Sequence, residues 1–298
     1  MAKEPRSLQS KVVAITGGAR GIGKATAQAL AAEGARVAIG DLDAELAEQT
    51  ASGLPTEGIG LELDVTKRQS FADFLAQVEE RLGPIDVLVN NAGIMPIGNF
   101  VDEDDATAHR MVDINIHGVI YGMKLALPGM QRRNSGHIVN IASQAGKAGL
   151  PGGATYCATK HAVVGLSEAV RAEVRDTEIE ISCVMPAVVN TELGSGLVES
   201  RAVKVSQPSD VAAEIVRALR FPKFDVFVPR GTGVIYQFTG ALPRRAREGF
   251  ARLLKADQVL AQADAQKRSD YEARAARGGP DLESEAVEDS ETAESRPS

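Results

Sequence analysis

Short β-branched, apolar runs alternate along the chain with Ala-rich stretches of helical spacing. The runs are Val12–Thr16, Arg36–Asp41, Ile59–Leu63, Ile85–Asn90, His137–Ile141, Ile181–Met185 and Asp225–Val228. The helical stretches lie near 22–33, 44–53, 68–82, 104–131, 154–176 and 208–220. Short apolar strands closed by Gly, Asp or Asn and each followed by a helix predict a parallel sheet covered on both faces. Seven strands fit one doubly wound α/β domain over about 11–230. Residues 1–10 are polar and expected to be flexible. After the last strand, Pro243 suits the first turn of a helix, which the pattern carries to about Arg277. At 100° per residue its Ala246, Phe250, Leu253, Leu254, Leu260 and Ala261 share one side, interrupted by Asp257. Arg244, Arg245, Arg247, Arg252 and Lys255 share the other. Such a helix can cover a substrate cleft, lie on an anionic membrane surface or brace a subunit interface. The uncharged stretch Gly233–Phe238 before it favours the first, a lid over 234–254.

Charge sharpens the ends of this picture. The 298 residues carry a net charge of -7, and residues 281–298 hold seven acids against the single base Arg296. The remainder is nearly neutral, and residues 278–298, rich in Glu and Ser, are expected to be disordered. An acidic chain with 4% aromatics and no Trp excludes a stacking platform for nucleic acid. Cys157 and Cys183 form no CxxC pair or disulfide framework, and no metal site is expected, since the four His residues lack ligand spacing. The N-terminus has no apolar signal core and no run is long enough to span a membrane, so a cytoplasmic protein is expected.

The first strand runs into Thr16-Gly17-Gly18-Ala19-Arg20-Gly21-Ile22-Gly23 and then a helix. Glycines there let backbone approach a pyrophosphate, and the helix N-terminus offers free N–H groups. The spacing differs from G-x-G-x-x-G. Gly18 to Lys24 also spells most of a P-loop, but Ala25 stands where Ser or Thr would hold Mg²⁺. Asp41, closing the second strand 18 residues after Gly23, can accept hydrogen bonds from a ribose diol and would repel a 2′-phosphate. It therefore favours NAD over NADP. Arg20 pulls toward NADP, and Asp43 can cap the next helix.

Tyr156 and Lys160 are four apart on one helix face. Ser143 closes the fifth strand, Asn90-Asn91-Ala92-Gly93 closes the fourth, and Asn115 lies in the long helix between. Strand ends on the carboxyl edge are where such sheets bind ligands. With the glycine loop, Asp64-Val65 after the third strand and Pro186 to Thr191 after the sixth, residues 10–230 resemble the classical short-chain dehydrogenase/reductase family. Pro186-Ala187 departs from the family's Pro-Gly, so left-handed backbone at 187 would be strained. The long C-terminal extension loosely resembles members acting on bulky lipid-like or steroid-like alcohols.

The resemblance implies a Rossmann-type fold and a nicotinamide dinucleotide held by Gly17, Arg20, Gly21, Ile22, Gly23, Asp41, Asp64, Val65, Asn91, Ala92, Gly93, Pro186, Val189 and Thr191, with Tyr156 and Lys160. It implies catalysis by Tyr156 as general acid/base, Ser143 at the reacting oxygen, Lys160 on the nicotinamide ribose, and Asn115 holding a water. It also implies a homodimer or homotetramer built on the helices bearing Asn115 and Tyr156. The expected reaction interconverts a secondary alcohol and a ketone, NAD being the expected cofactor. An ammonium ~4 Å from the phenol, at an effective dielectric of ~20, would contribute about 4 kcal/mol and bring Tyr156 near neutrality. Rival readings are an NADP-dependent carbonyl reductase, a silent dinucleotide sensor and a P-loop nucleotidase. The complete Asn–Ser–Tyr–Lys set argues against the sensor.

Overall fold

The computed structural model describes residues 4–198, 205–240 and 242–276. In chain order the elements are β1 Val12–Thr16, α1 Gly21–Ala32, β2 Arg36–Asp41, α2 Ala44–Ser52, β3 Gly58–Glu62, α3 Arg68–Leu82 and β4 Val87–Asn90. Then come α4 Asp105–Val112, α5 Gly118–Arg133, β5 Gly136–Ile141, α6 Ala154–Glu173, β6 Ile179–Pro186, α7 Pro208–Arg220 and β7 Asp225–Val228. The extension adds α8 Thr232–Gly240, α9 Arg244–Leu253 and α10 Ala265–Ala276. The strands pair in parallel in the order β3-β2-β1-β4-β5-β6-β7. Order reverses between β1 and β4, which opens a crevice at their carboxyl ends.

Strand side chains alternate between two cores. Val12 and Ala14 of β1 join one cluster with Phe71, Phe74 and Met123. Val13 and Ile15 join the other with Ala27, Leu30 and Ile215. Both faces are dry, which is why the runs are apolar throughout rather than at alternate positions. The long helix around Asn115 runs unbroken from Asp105 to Arg133 but winds through a π turn, Asp113–His117, between α4 and α5. Single π turns re-aim side chains and occur often at functional sites.

Two expectations are corrected. Residues 4–10 do not fray: Leu8 is buried in the second core, the Arg6 amide donates to the Arg220 carbonyl at 2.9 Å, and Arg6 pairs with Glu180. One apolar side chain and a strap of hydrogen bonds outweigh a polar composition. The stretch 233–238 lies in α8. The helix drawn from Pro243 to Arg277 breaks at Lys255, which takes φ 55°. Left-handed backbone costs about 1–2 kcal/mol. Burial of Val259 and Leu260 beyond the break, each worth roughly 1.5–3 kcal/mol, offsets it. Arg277 and the acidic tail at 278–298 lie outside the described residues. No helix among the described residues is long and apolar enough to cross a membrane.

Candidate active site

β1 delivers the chain into the glycine loop. Gly17 and Gly21 adopt φ 61° and 51°, and a Cβ on Gly17 would stand 2.9 Å from the Ala92 Cα. Two backbones therefore meet where only hydrogen fits. Asn91 fastens the contact: its Nδ2 donates to the carbonyls of Thr16 and Gly17 at 2.9 and 2.8 Å. Thr16 Oγ1 accepts the amides of Asn91 and Ala92, both at 3.0 Å. Arg20 precedes α1 without capping it, so the first-turn amides have no side-chain acceptor. Such an end suits a phosphate. Lys24 is exposed on α1, and Thr26 is fully buried, which leaves no hydroxyl for a P-loop metal. Among the described residues no cluster of three or more His, Cys, Asp or Glu is placed to hold a metal ion.

At the end of β2, Asp41 accepts from the Ala19 amide at 3.1 Å and the Asp43 amide at 3.3 Å. Asp43 caps α2 through Leu46 at 3.0 Å and pairs with Arg20 at 2.7 Å. Burial opposes the charge on Asp64, but hydrogen bonds from Thr66 and the Lys67 ammonium outweigh it and hold the carboxyl below its usual range.

Tyr156 and Lys160 sit on the buried face of α6, at 6% and 5% exposure. Lys160 Nζ donates to the Ile141 carbonyl at 3.0 Å and lies 5.6 Å from the centre of the Tyr156 ring. Ser143 Oγ accepts the Ala145 amide at 3.1 Å and donates to the Pro186 carbonyl at 3.4 Å. Ala187 escapes strain because its φ is not left-handed, and its amide donates to the Val228 carbonyl at 2.8 Å. The π turn points Asn115 at the β4 loop: Oδ1 accepts the Ile94 amide and Nδ2 donates to the Ile94 carbonyl, both at 2.9 Å. Its amide group also reaches Thr159 at 3.1 Å.

The expected shift of Tyr156 toward neutrality does not appear in this form of the protein. Burial dominates and pushes the phenol up to about 12, against a smaller downward pull from Ser143. Burial likewise lowers Lys160 to about 8. The simple Coulomb argument omitted the desolvation of both partners.

Every expected catalytic and cofactor-binding residue lines one cavity of about 580 Å³ except Gly23 and Asn115, which lie just behind its wall. Beyond Tyr156 the cavity becomes an apolar chamber. Met95, Leu150, Leu193, Val259 and Leu260 line it with Tyr156, backed by the buried Met111 and Cys157. The part of the extension that covers the chamber is not the expected 234–254. Tyr236 contributes, but the remaining cover is Val259, Leu260, Tyr271, Arg274 and Ala275, while α9 buries no residue. Gly153 makes room for the cover, since a Cβ there would stand 2.5 Å from Leu260 Cδ1. Sequence reading passed over Met95, Gln144, Tyr271 and Arg274. Gln144 ties the site to the extension, donating to the Val228 carbonyl at 3.1 Å and Thr232 Oγ1 at 2.7 Å. The available signal was the shared face of Arg268, Tyr271, Glu272 and Ala275 on a separate short helix.

Known proteins share both the sequence and this geometry. A 2-(S)-hydroxypropyl-CoM dehydrogenase of Xanthobacter autotrophicus is 41% identical over 197 residues, 65% of this chain and 77% of that protein. A 2,5-dichloro-2,5-cyclohexadiene-1,4-diol dehydrogenase of Sphingobium indicum is 36% identical over 189 residues, 62% and 76% of the two chains. The crystal structure of a short chain dehydrogenase/reductase from Burkholderia phymatum in complex with NAD superposes with TM-score 0.71 at 25% identity, covering 78% of this chain and 93% of that one. Levodione reductase gives TM-score 0.69 at 27% identity, with coverage of 74% and 96%. The profile of the short chain dehydrogenase family matches residues 11–202, the span that carries the glycine loop, Asn115, Ser143, Tyr156 and Lys160. By that match, by its relatives and by its fold, the chain belongs to the short-chain dehydrogenase/reductase family of oxidoreductases.

Proposed function

We propose that the protein interconverts a secondary alcohol and a ketone with NAD, acting on a bulky, largely apolar substrate. The observation that carries this reading is the meeting of two surfaces: the phenol of Tyr156 and the hydroxyl of Ser143 stand where the glycine-loop cradle opens into the apolar chamber. The relatives named above are dehydrogenases, one of a diol, which supports action on a CH–OH group.

The cradle fits a dinucleotide. The uncapped α1 amides and the close-set backbones of Gly17 and Ala92 suit the pyrophosphate, and Asp41 stands ready for the adenosine ribose. Asp64, Val65, Asn91 and Gly93 would flank the adenine and ribose, with Pro186, Val189 and Thr191 beside the nicotinamide. The bound nicotinamide supplies the acceptor for the hydride that leaves the carbinol carbon. Ser143 orients the alcohol oxygen. Tyr156 takes the hydroxyl proton in oxidation and returns it in reduction. Lys160 positions the nicotinamide ribose and favours tyrosinate while it remains charged. Asn115, fixed to Ile94, places its π turn where a water can link Lys160 to solvent.

Asp43 adds to the NAD preference that Asp41 sets. Its ion pair engages Arg20, the one base in the glycine loop, and turns it from a 2′-phosphate. The reading is tested by titrating NAD and NADP and screening secondary alcohols and ketones at the nicotinamide absorbance. NAD-dependent turnover that disappears in Tyr156→Phe, with NAD affinity retained, is the expected result. Normal turnover in that variant refutes it.

A further inference from the structure

The chamber wall contributed by α10 holds a donor that the hydride chemistry does not use. Arg268 is 1% exposed, and its guanidinium donates to the carbonyls of Leu193 and Ser195 at 2.9 Å each and of Met95 at 2.7 Å. It also pairs with Glu272 at 3.0 Å. A cation so fully engaged fastens α10 to two loops, those after β4 and β6. The Tyr271 ring lies 5.0 Å from that guanidinium. Its hydroxyl oxygen accepts the Met95 amide at 2.6 Å.

A phenol oxygen that accepts one hydrogen bond still has its own proton to give. Among the described residues no acceptor receives the Tyr271 proton, although the side chain is partly buried and lines the same cavity as Tyr156 and Ser143. Arg268 and Met95 hold ring and oxygen in place before any ligand arrives, so the donor is preorganised. The surrounding wall of Met95, Leu193 and Leu260 offers apolar contact only.

We propose that Tyr271 is a specificity-determining residue whose hydroxyl donates to a second oxygen of the substrate, remote from the carbinol carbon served by Tyr156 and Ser143. This rests on the alcohol–ketone reading above and narrows it. The preferred substrate has an apolar body with two oxygens, one that reacts and one that is held. A second hydroxyl or carbonyl meets the requirement. A mono-oxygenated alcohol of the same shape forgoes that hydrogen bond and is turned over more slowly.

The test is a screen in matched pairs. Each ring or chain alcohol is offered beside its counterparts carrying a second hydroxyl or carbonyl at successive positions, beginning with cyclohexanol against the 1,2-, 1,3- and 1,4-cyclohexanediols. Wild type is expected to favour one position of the second oxygen by about tenfold or more in kcat/KM, the effect of one well-placed hydrogen bond. Tyr271→Phe keeps the ring on Arg268 and is expected to reduce that preference to within about twofold. NAD affinity should stay close to wild type and the favoured diols should lose far more kcat/KM than the mono-alcohols, while Tm falls modestly because the buried Met95 amide loses its acceptor. A purely structural role, satisfying the Met95 amide, would instead lower both members of each pair together, and that result overturns the proposal. So does a wild-type enzyme indifferent to the second oxygen, or a preference that survives in the variant. In those cases mono-alcohols are still oxidised, which separates the failure from that of the alcohol–ketone reading. If wild type oxidises neither member of any pair, both fall.

Discussion

Burial of Lys160 beside Tyr156 decides how the acid/base pair titrates. The phenol, raised to about 12, is protonated at neutral pH and scarce as a base. Below its pKa the tyrosinate fraction grows tenfold per pH unit. Oxidation of alcohol should therefore accelerate with pH across 7–9, while ketone reduction should not. Lys160, lowered to about 8, loses its charge over the same range, so the gain should flatten above that value. Initial rates in both directions, measured at saturating cofactor, check the signs; an oxidation rate that falls from pH 7 to 8 contradicts them. Lys160→Ala should damage cofactor binding as well as turnover, because the ammonium has two tasks. A separate residue pair sets cofactor choice. Asp41→Ala removes the ribose acceptor and should narrow the preference for NAD. Asp43→Ala releases Arg20 from its 2.7 Å ion pair and should raise NADP affinity by about tenfold, the scale of one charge-assisted bond. Tighter binding of NADP than NAD by wild type would show that Arg20 prevails despite Asp43.

Elements of regular pattern were legible and the irregular ones were not. The strand Asp225–Val228 and the helices at 68–82 and 208–220 were readable to the residue, because dry faces and helical periodicity repeat over the whole element. Asn115 was legible as a residue, but its π turn was not, since nothing local in Asp113–His117 announces an i→i+5 bond. The extension was misread for a related reason. Its apolar residues at 246–261 do share one side of an ideal helix, yet Val259 and Leu260 have a chamber to fill, and tertiary burial broke the helix at Lys255. The cover therefore hangs on α10 and on Arg268. Arg268→Ala should orphan three carbonyls and release α10, raising KM for large alcohols severalfold more than for small ones while leaving NAD affinity unchanged. Equal KM effects on small and large substrates would show that α10 is a brace and not a cover.

At the scale of the molecule, two properties follow from faces and buried charges rather than from the site. The outward side of α6 mixes small and polar residues: Ala158 and Gly165 are exposed beside His161 and Glu168, and a Cβ on Gly165 would meet nothing within 4 Å. Small residues let helices approach closely, so we expect two subunits to pair through α5 and α6, giving a dimer or tetramer. Gly165→Arg should yield monomers by light scattering at micromolar concentration, and a monomeric wild type refutes the pairing. Acid stability is the second property. His137 is 5% exposed in β5, and its Nε2 lies 2.8 Å from Ser182 Oγ. Ser182 gives its own proton to the Lys223 carbonyl, so Nε2 must be the donor. Burial foremost, and then the Arg6 charge on the docked N-terminal strap, depress its pKa to about 3 from 6.5. Between these values the unfolded chain binds one proton more than the folded one. Stability from the neutral ring is complete above pH 6.5 and drains away as pH falls toward 3, at a limiting slope of about 1.4 kcal/mol per pH unit. His137→Gln keeps a donor for Ser182 but has no proton to gain. Denaturant melts from pH 7 to 3.5 should therefore show a shallower loss in the variant than in wild type, by about that slope; parallel curves would mean that His137 charges without unfolding the sheet.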